Sequence, residues 1–396
     1  MAPTDGLRSI DELTLAHQRV LVRVDFDVPL DDDGKLVSDH KLRVALPTIQ
    51  KALSEGARVV LATHLGEAGK PARSLEPVAE RLAELLGQEV YLPDECIGDA
   101  ARKVVSDLRE GQLCLLENLR FLPEEATNDD VLARKLLALC DVYVSEAFSV
   151  THLSQTSLVA LPRLVKERGI GYRFRVELDS LSRATANVHK PFVGVLGGSS
   201  LSRSLPVLEA MMRRCDAILV GGAVANTLLR ARQVDVKASA YEDNQLALAR
   251  NLLTRARDQK LELVLPVDAV VGSSAHAKET RSVSVGSVPD QHGIFDIGPQ
   301  TLETFRARVA GAKTALFHGA LGALENPAFA AGTRGVLDAL SESPVFGIVT
   351  GDSVSALATA SGAELEKQIG FISTGGAASL VFIEGKQLPG VNALRG

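Results

Sequence analysis

Apolar positions along the chain fall into two kinds of segment that alternate. Short runs dense in Val and Leu, at 19–25, 58–63, 89–92, 113–118 and 141–145, predict strands buried on both faces, because they show no regular polar side. Between them the apolar residues take helical spacing. Residues 41–54 place Leu42, Leu46, Ile49 and Leu53 on one face, with Gly56 just beyond as a stop. Residues 75–86 do the same with Val78, Leu82 and Leu85, with Ser74 as the expected N-cap and Gly87 after the end. A charged amphipathic helix follows at 172–187. A second alternating series then predicts strands at 192–196, 217–220, 261–267, 314–317, 345–349 and 368–372, with helices such as 244–257 and 300–309 between them.

Such alternation argues for βαβ units and parallel sheets. The expected fold is α/β: two Rossmann-like doubly wound parallel-sheet lobes joined by a helix. Ligands then belong at the carboxyl ends of the strands. The expected division is an N-terminal lobe at 1–172, an interdomain helix at 173–187, a C-terminal lobe at 188–380 and a last segment at 381–396.

Composition sharpens this picture. A length of 396 residues suits two domains, and 46% hydrophobic with 23% charged residues supplies a core and argues against disorder. The net charge of -6 argues against a nucleic-acid or anionic-membrane partner. No apolar run approaches a membrane span, and the first residues lack a signal-peptide pattern. Cys96, Cys114, Cys140 and Cys215 have no metal-type spacing and read as buried free thiols of a reducing compartment, so a soluble, cytoplasmic protein is expected.

Several motifs fail on inspection. GEAGK at 66–70 has the wrong spacing for a phosphate-binding P-loop, and Pro71 follows it. Asp31, Asp32, Asp33 and Gly34 suggest a calcium loop, but Pro29 and His40 occupy its end positions, so a surface turn is expected. The eight histidines have no zinc spacing, and no structural metal is expected. What remains is a set of glycine turns after strands: Gly197-Gly198, Gly221-Gly222, Gly351-Asp352 and Gly375-Gly376. Four such turns in one half favour a phosphate-bearing ligand, because glycine lets backbone N–H groups approach an anion.

Whole phrases, taken in order, resemble phosphoglycerate kinase. They include LVRVDFDVPL, THLG, LLENLRF and DVYVSEAF in the first half, and KPFVGVLGG, ILVGGAVANTLL, DIGPQT, FISTGGAASL and IEGKQLPGV in the second. The resemblance implies a first lobe for 3-phosphoglycerate, a second for Mg-ATP or Mg-ADP, hinge closure, a C-terminal segment that returns to the first lobe, and a monomer. It matches Arg23, Asp25, Lys41, His64, Arg120 and His152 to the acid substrate. It matches Gly197, Gly198, Gly221, Gly222, Glu325, Gly351, Asp352, Ser353, Gly375 and Gly376 to the nucleotide, with Asp352 as the indirect magnesium residue.

The chain departs from the family at several of these places. Lys41 stands for an arginine and loses its planar two-pronged grip. Asp27 replaces an asparagine, and Leu153 an arginine. Glu67 also replaces an arginine; a like charge about 4 Å from an anion costs on the order of 4 kcal/mol at an effective dielectric near 20. In the second lobe the family's GGAKVSDK-like phrase becomes GGSSLSRS, so Ser200 and Ser204 stand for two phosphate-binding lysines. Arg203 is near but is expected on the other side of a helical turn. His318 replaces an asparagine. Two phosphate-loop glycines become Val349 and Thr350, and Ala377 replaces a third. The leading expectation is a protein of this fold with transfer lost or severely weakened and a binding or regulatory role toward an unknown protein partner. Nucleotide binding would be weakened, and 3-phosphoglycerate is put in doubt as ligand. The alternatives are a low-activity phosphoglycerate kinase, or an acid kinase for a less anionic substrate.

Overall fold

The computed structural model describes residues 4–31, 33–66 and 71–395. Glu67, the rest of the 67–70 stretch and Asp32 lie outside the described residues. Two parallel six-stranded sheets form the frame. The first contains β1 (Arg19–Arg23), β2 (Arg58–Ala62), β3 (Val90–Tyr91), β4 (Leu113–Leu115), β5 (Val142–Ser145) and β6 (Glu167–Ile170), in the order β3-β4-β2-β1-β5-β6. The second contains β7 (Phe192–Leu196), β8 (Ala217–Val220), β9 (Glu262–Val264), β13 (Thr314–His318), β14 (Phe346–Thr350) and β15 (Gly370–Ile372), in the order β15-β14-β13-β7-β8-β9.

The remaining strands, β10 (Asp268–Gly272), β11 (Arg281–Ser284) and β12 (Gly293–Ile297), make a small antiparallel sheet that the sequence reading did not anticipate. The expected strand at 261–267 stops at Val264 because Pro266 offers no N–H to a ladder, and a separate strand starts at Asp268. The polar stretch Glu167–Ile170 also forms a strand, at the sheet edge beside β5. The helix expected at 172–187 runs from Tyr172 to Ser182. Ser74 is not the N-cap residue of its helix: Leu75 holds that position, while the Ser74 hydroxyl accepts the Glu76 N–H at 3.2 Å and donates to Glu117 at 2.5 Å. Gly87 ends the same helix with φ 66°, as its spacing predicted.

The chain forms two compact units. One is Met1–Asp179 with Gln387–Gly396, the other Ser180–Lys386, against expected divisions after 172, 187 and 380. In the first unit Val20, Val22, Leu61, Leu115 and Val144 pack with Leu42, Ile49, Val78 and Leu82 of the flanking helices His40–Ser54 and Glu76–Leu86. Each side chain of this size contributes roughly 1.5–3 kcal/mol when fully buried. In the second unit Val195, Leu219, Phe317 and Val349 pack with Phe305 and Leu340. The sheet order fixes where a site can form. Each chain builds outward from a central strand, β1 or β7, then resumes on its other flank at β5 or β13. Loops leaving these neighbours diverge, opening a crevice at the strand ends.

Candidate functional site

The crevice of the first unit gathers polar groups from four strand ends. Arg23 is the last residue of β1 and is fully buried. Its Nε donates to Ser157 Oγ at 2.9 Å, its Nη1 to the Val24 carbonyl at 2.5 Å and its Nη2 to His64 Nδ1 at 3.2 Å. The same Ser157 hydroxyl donates to the buried Glu125 carboxylate at 2.5 Å. Arg23 is therefore a clamp with all three edges committed, and not the partner of Asp25 or Asp27. Burial first, then the Arg23 charge, pushes His64 down to about 3, so its ring is neutral near pH 7.

Asp25 pairs instead with Lys41 at 2.9 Å and accepts from Ser149 Oγ at 2.5 Å. Burial is the largest single influence and opposes its charge, but Lys41, His64 and the Ser149 hydroxyl together outweigh it and bring Asp25 to about 2. Asp27 accepts the Gly66 N–H at 2.9 Å and faces His64 Nε2 at 3.8 Å; burial raises its pKa. His152 donates Nδ1–H to the Ser149 carbonyl at 3.0 Å, and burial lowers its pKa. Leu153 packs against a small apolar cluster containing Val150 and Leu158. Asn118, which sequence reasoning missed, fixes this geometry: its side chain bonds Leu65 N at 3.2 Å, Arg120 N at 3.0 Å and the carbonyls of Leu65 and Arg73 at 2.9 and 2.8 Å. Only its place in the LLENLRF phrase pointed to it. Arg120 differs from its neighbours, since its buried Nε has no hydrogen-bond partner among the described residues.

In the second unit the turns after β7, β8, β13 and β14 enclose a cleft of 660 Å³. The turns are stitched to one another. Gly197 N and Gly198 N donate to the carbonyls of His318 and Ala320 at 2.8 Å, Gly222 N donates to Leu321 O at 3.0 Å, and Ala223 N to Gly198 O at 3.0 Å. A Cβ on Gly197 would collide with the Ala320 carbonyl, and one on Gly222, at φ 63°, would come within 2.7 Å of Gly198 O. Turn-on-turn packing by itself therefore requires glycine at Gly197 and Gly222. Gly376 is different: a Cβ there meets only Asp352 Oδ1 at 3.7 Å, so this turn is open toward the cleft.

The charge lining the cleft is one-sided. Asp296, Glu325 and Asp352 line it, and no Lys or Arg does among the described residues. The Ser200 hydroxyl accepts the Arg203 N–H at 3.2 Å as the cap of the helix Leu201–Met212, and the buried Ser204 hydroxyl donates to Gly197 O at 3.4 Å. His318 shares a bond with Thr350 Oγ1 at 3.1 Å, and burial pushes it down to about 4, which leaves the ring uncharged near neutrality. Asp352 is the first residue of the helix Asp352–Ala360, and Gly351, which has no side chain to offer, is the cap residue. Ser353 lines the cleft beside it, and Glu325 stands on an exposed turn at the rim. Gly221 caps the helix Gly222–Ala231, and Gly375 caps Gly376–Glu384. Asp296 was also missed: its carboxylate accepts Gly332 N at 2.8 Å and Ile297 N at 2.9 Å on the cleft wall, and burial raises it to about 7.

Comparison with known proteins covers nearly the whole chain. The family model described as phosphoglycerate kinase matches residues 10–386. The chain belongs to the phosphoglycerate kinase family. A phosphoglycerate kinase of Anaeromyxobacter dehalogenans strain 2CP-C is 45% identical, covering 98% of this chain and 99% of the relative. A phosphoglycerate kinase of Chloroherpeton thalassium is 40% identical, covering 98% of each. The solved phosphoglycerate kinases of Coxiella burnetii and Pyrococcus horikoshii OT3 superpose with TM-scores of 0.87 and 0.85, at 34% and 31% identity over 98% of both chains. Membership in the phosphoglycerate kinase family makes a phosphotransferase ancestry plain and fixes the fold as two parallel-sheet α/β lobes. Among the described residues no helix is long and apolar enough to cross a membrane.

Proposed function

We propose that this chain transfers a phosphoryl group between a magnesium-chelated adenine nucleotide in the second unit and the carboxylate of 3-phosphoglycerate in the first, at a rate well below that of a family member carrying the full set of cations. Arg120, whose Nε has no hydrogen-bond partner among the described residues while Lys41 is paired with Asp25 and Arg23 is committed to Ser157, Val24 and His64, is the observation that carries the reading. An acid anion would meet there a guanidinium able to form a charge-assisted bond. In the transfer, a carboxylate oxygen bonds to the γ-phosphorus as the bond to the β-phosphate oxygen breaks, yielding an acyl phosphate and the diphosphate. Catalysis of such transfers rests on positioning and charge stabilisation. A missing charge-stabilising group at Ser200 lowers the rate by roughly 10²–10³-fold.

Asp352 fits a nucleotide-borne Mg²⁺, which takes one or two protein carboxylates with the phosphates. No group of three or more metal-ligating side chains exists among the described residues, so the ion would arrive with its nucleotide. A second reading, binding without transfer, is favoured by the lack of any Lys or Arg along the cleft among the described residues. A coupled assay with MgATP and 3-phosphoglycerate at high enzyme concentration, with Asp352→Ala as contamination control, separates the two. A rate that scales with enzyme and disappears in the variant supports slow transfer. A wild type indistinguishable from the variant rejects it.

A further inference from the structure

Phosphates bound in the cleft would meet Asp296, Glu325 and Asp352 without a balancing lysine or arginine on its walls among the described residues. Between Gly197 and Ser204, the turn and first helical turn that bring Gly198 and Ser199 to the cleft wall, the single charged residue is Arg203. Its position differs from the sequence expectation. Ser200 is the cap and Arg203 the third helical residue, tied to it by the 3.2 Å bond from Arg203 N to Ser200 Oγ. Residues three apart on a helix are surface neighbours, so Arg203 shares the side of Ser200, whose neighbour Ser199 lines the cleft. The Arg203 side chain is exposed, and its guanidinium has no hydrogen bond or ion pair among the described residues. Glu242, which accepts Ser202 N at 2.9 Å, lies within electrostatic reach but leaves it unpaired. The family's own phosphate-binding positions, 200 and 204, hold hydroxyls committed to the local backbone.

We propose that Arg203 is the residue that recognises the phosphate tail of the nucleotide, its guanidinium turning over the Ser199–Ser200 edge to bond phosphate oxygens and replacing the cations absent at 200 and 204. This inference rests on the nucleotide reading of the cleft but concerns binding, so it is tested without turnover. Arginine suits the role because its planar fork matches phosphate geometry and stays charged at any working pH. A free, exposed side chain also leaves one of its rotamers available for the bound state at no loss of an existing bond.

Titration calorimetry with MgADP and with adenosine, on wild type, Arg203→Ala and Arg203→Lys, gives the test. MgADP is expected to bind wild type at least tenfold more tightly than adenosine. That preference collapses in Arg203→Ala and is partly restored in Arg203→Lys, while adenosine affinity stays within twofold throughout. A merely structural role for Arg203 would change both ligands together. The proposal is overturned if Arg203→Ala keeps the wild-type preference, if adenosine affinity falls in parallel, or if wild type shows no preference or no binding of MgADP. Loss of the preference in Arg203→Ala alongside a wild type inactive in transfer would sink the slow-kinase reading and keep this one.

Discussion

The hydroxyl of Ser200 accepts the N–H of Arg203 and so ends the backbone of its helix well, while offering no charge to a phosphate. Lysine at that position would lose the cap, costing about 1 kcal/mol, and gain a cation where phosphoryl charge develops. Ser200→Lys is therefore expected to melt slightly lower and to raise the transfer rate by about tenfold or more. An unchanged rate at full folding would show that the pocket has been remodelled beyond this residue. His318 makes a separate prediction. Burial depresses its pKa from 6.5 to about 4, so the folded state resists a proton the unfolded chain accepts. Its contribution to stability is complete above pH 6.5 and is lost as pH falls through about 4. Because solvent still reaches part of the ring, the effect is about 1–2 kcal/mol. Melting of wild type and His318→Asn at pH 7 and pH 4.5 checks this: wild type should fall further between the two.

At the scale of elements, the turn after β8 is the most constrained feature of the cleft. Gly222→Ala puts a Cβ against Gly198 O in a backbone region that suits glycine, and should destabilise the second unit by about 1–3 kcal/mol. Gly286→Ala, where a Cβ meets nothing within 4 Å, should be near neutral and serves as comparison in the same denaturation experiment. The legibility of elements in the sequence followed burial. Strands such as Phe192–Leu196 and Ala217–Val220 were readable to the residue because both faces are buried and apolar. The edge strand Glu167–Ile170 and the antiparallel β10, β11 and β12 were not, because half-exposed strands mix polar residues into runs too short to show a period. Site residues were legible as positions through the family phrases, but their pairings were not. Arg23 meets Ser157 and His64, and Lys41 meets Asp25, only after the sheet order has brought distant strand ends together.

For the whole molecule, the last residues are structural parts of the first unit. Val391, Ala393 and Leu394 are buried, Gly390 N donates to Thr151 O at 2.9 Å, and Arg168 Nη2 donates to the Arg395 carbonyl at 2.9 Å. A chain ending at Lys386 should lose on the order of 3 kcal/mol in that unit from the missing burial of Val391 and Leu394 alone. The loss should appear as increased protease cutting near Thr151, the segment that carries His152; an unchanged pattern would contradict the packing. The interlocked turns of the second unit have a different bearing on the molecule's history and use. Glycines there answer to one another's backbones, while the side chains of Ser199, Arg203 and Ser353 make no hydrogen bond among the described residues. Recognition can thus be rewritten without redrafting the scaffold. A combinatorial library at those three positions should yield mostly soluble, folded variants, making this chain a ready starting point for selecting new ligand specificities.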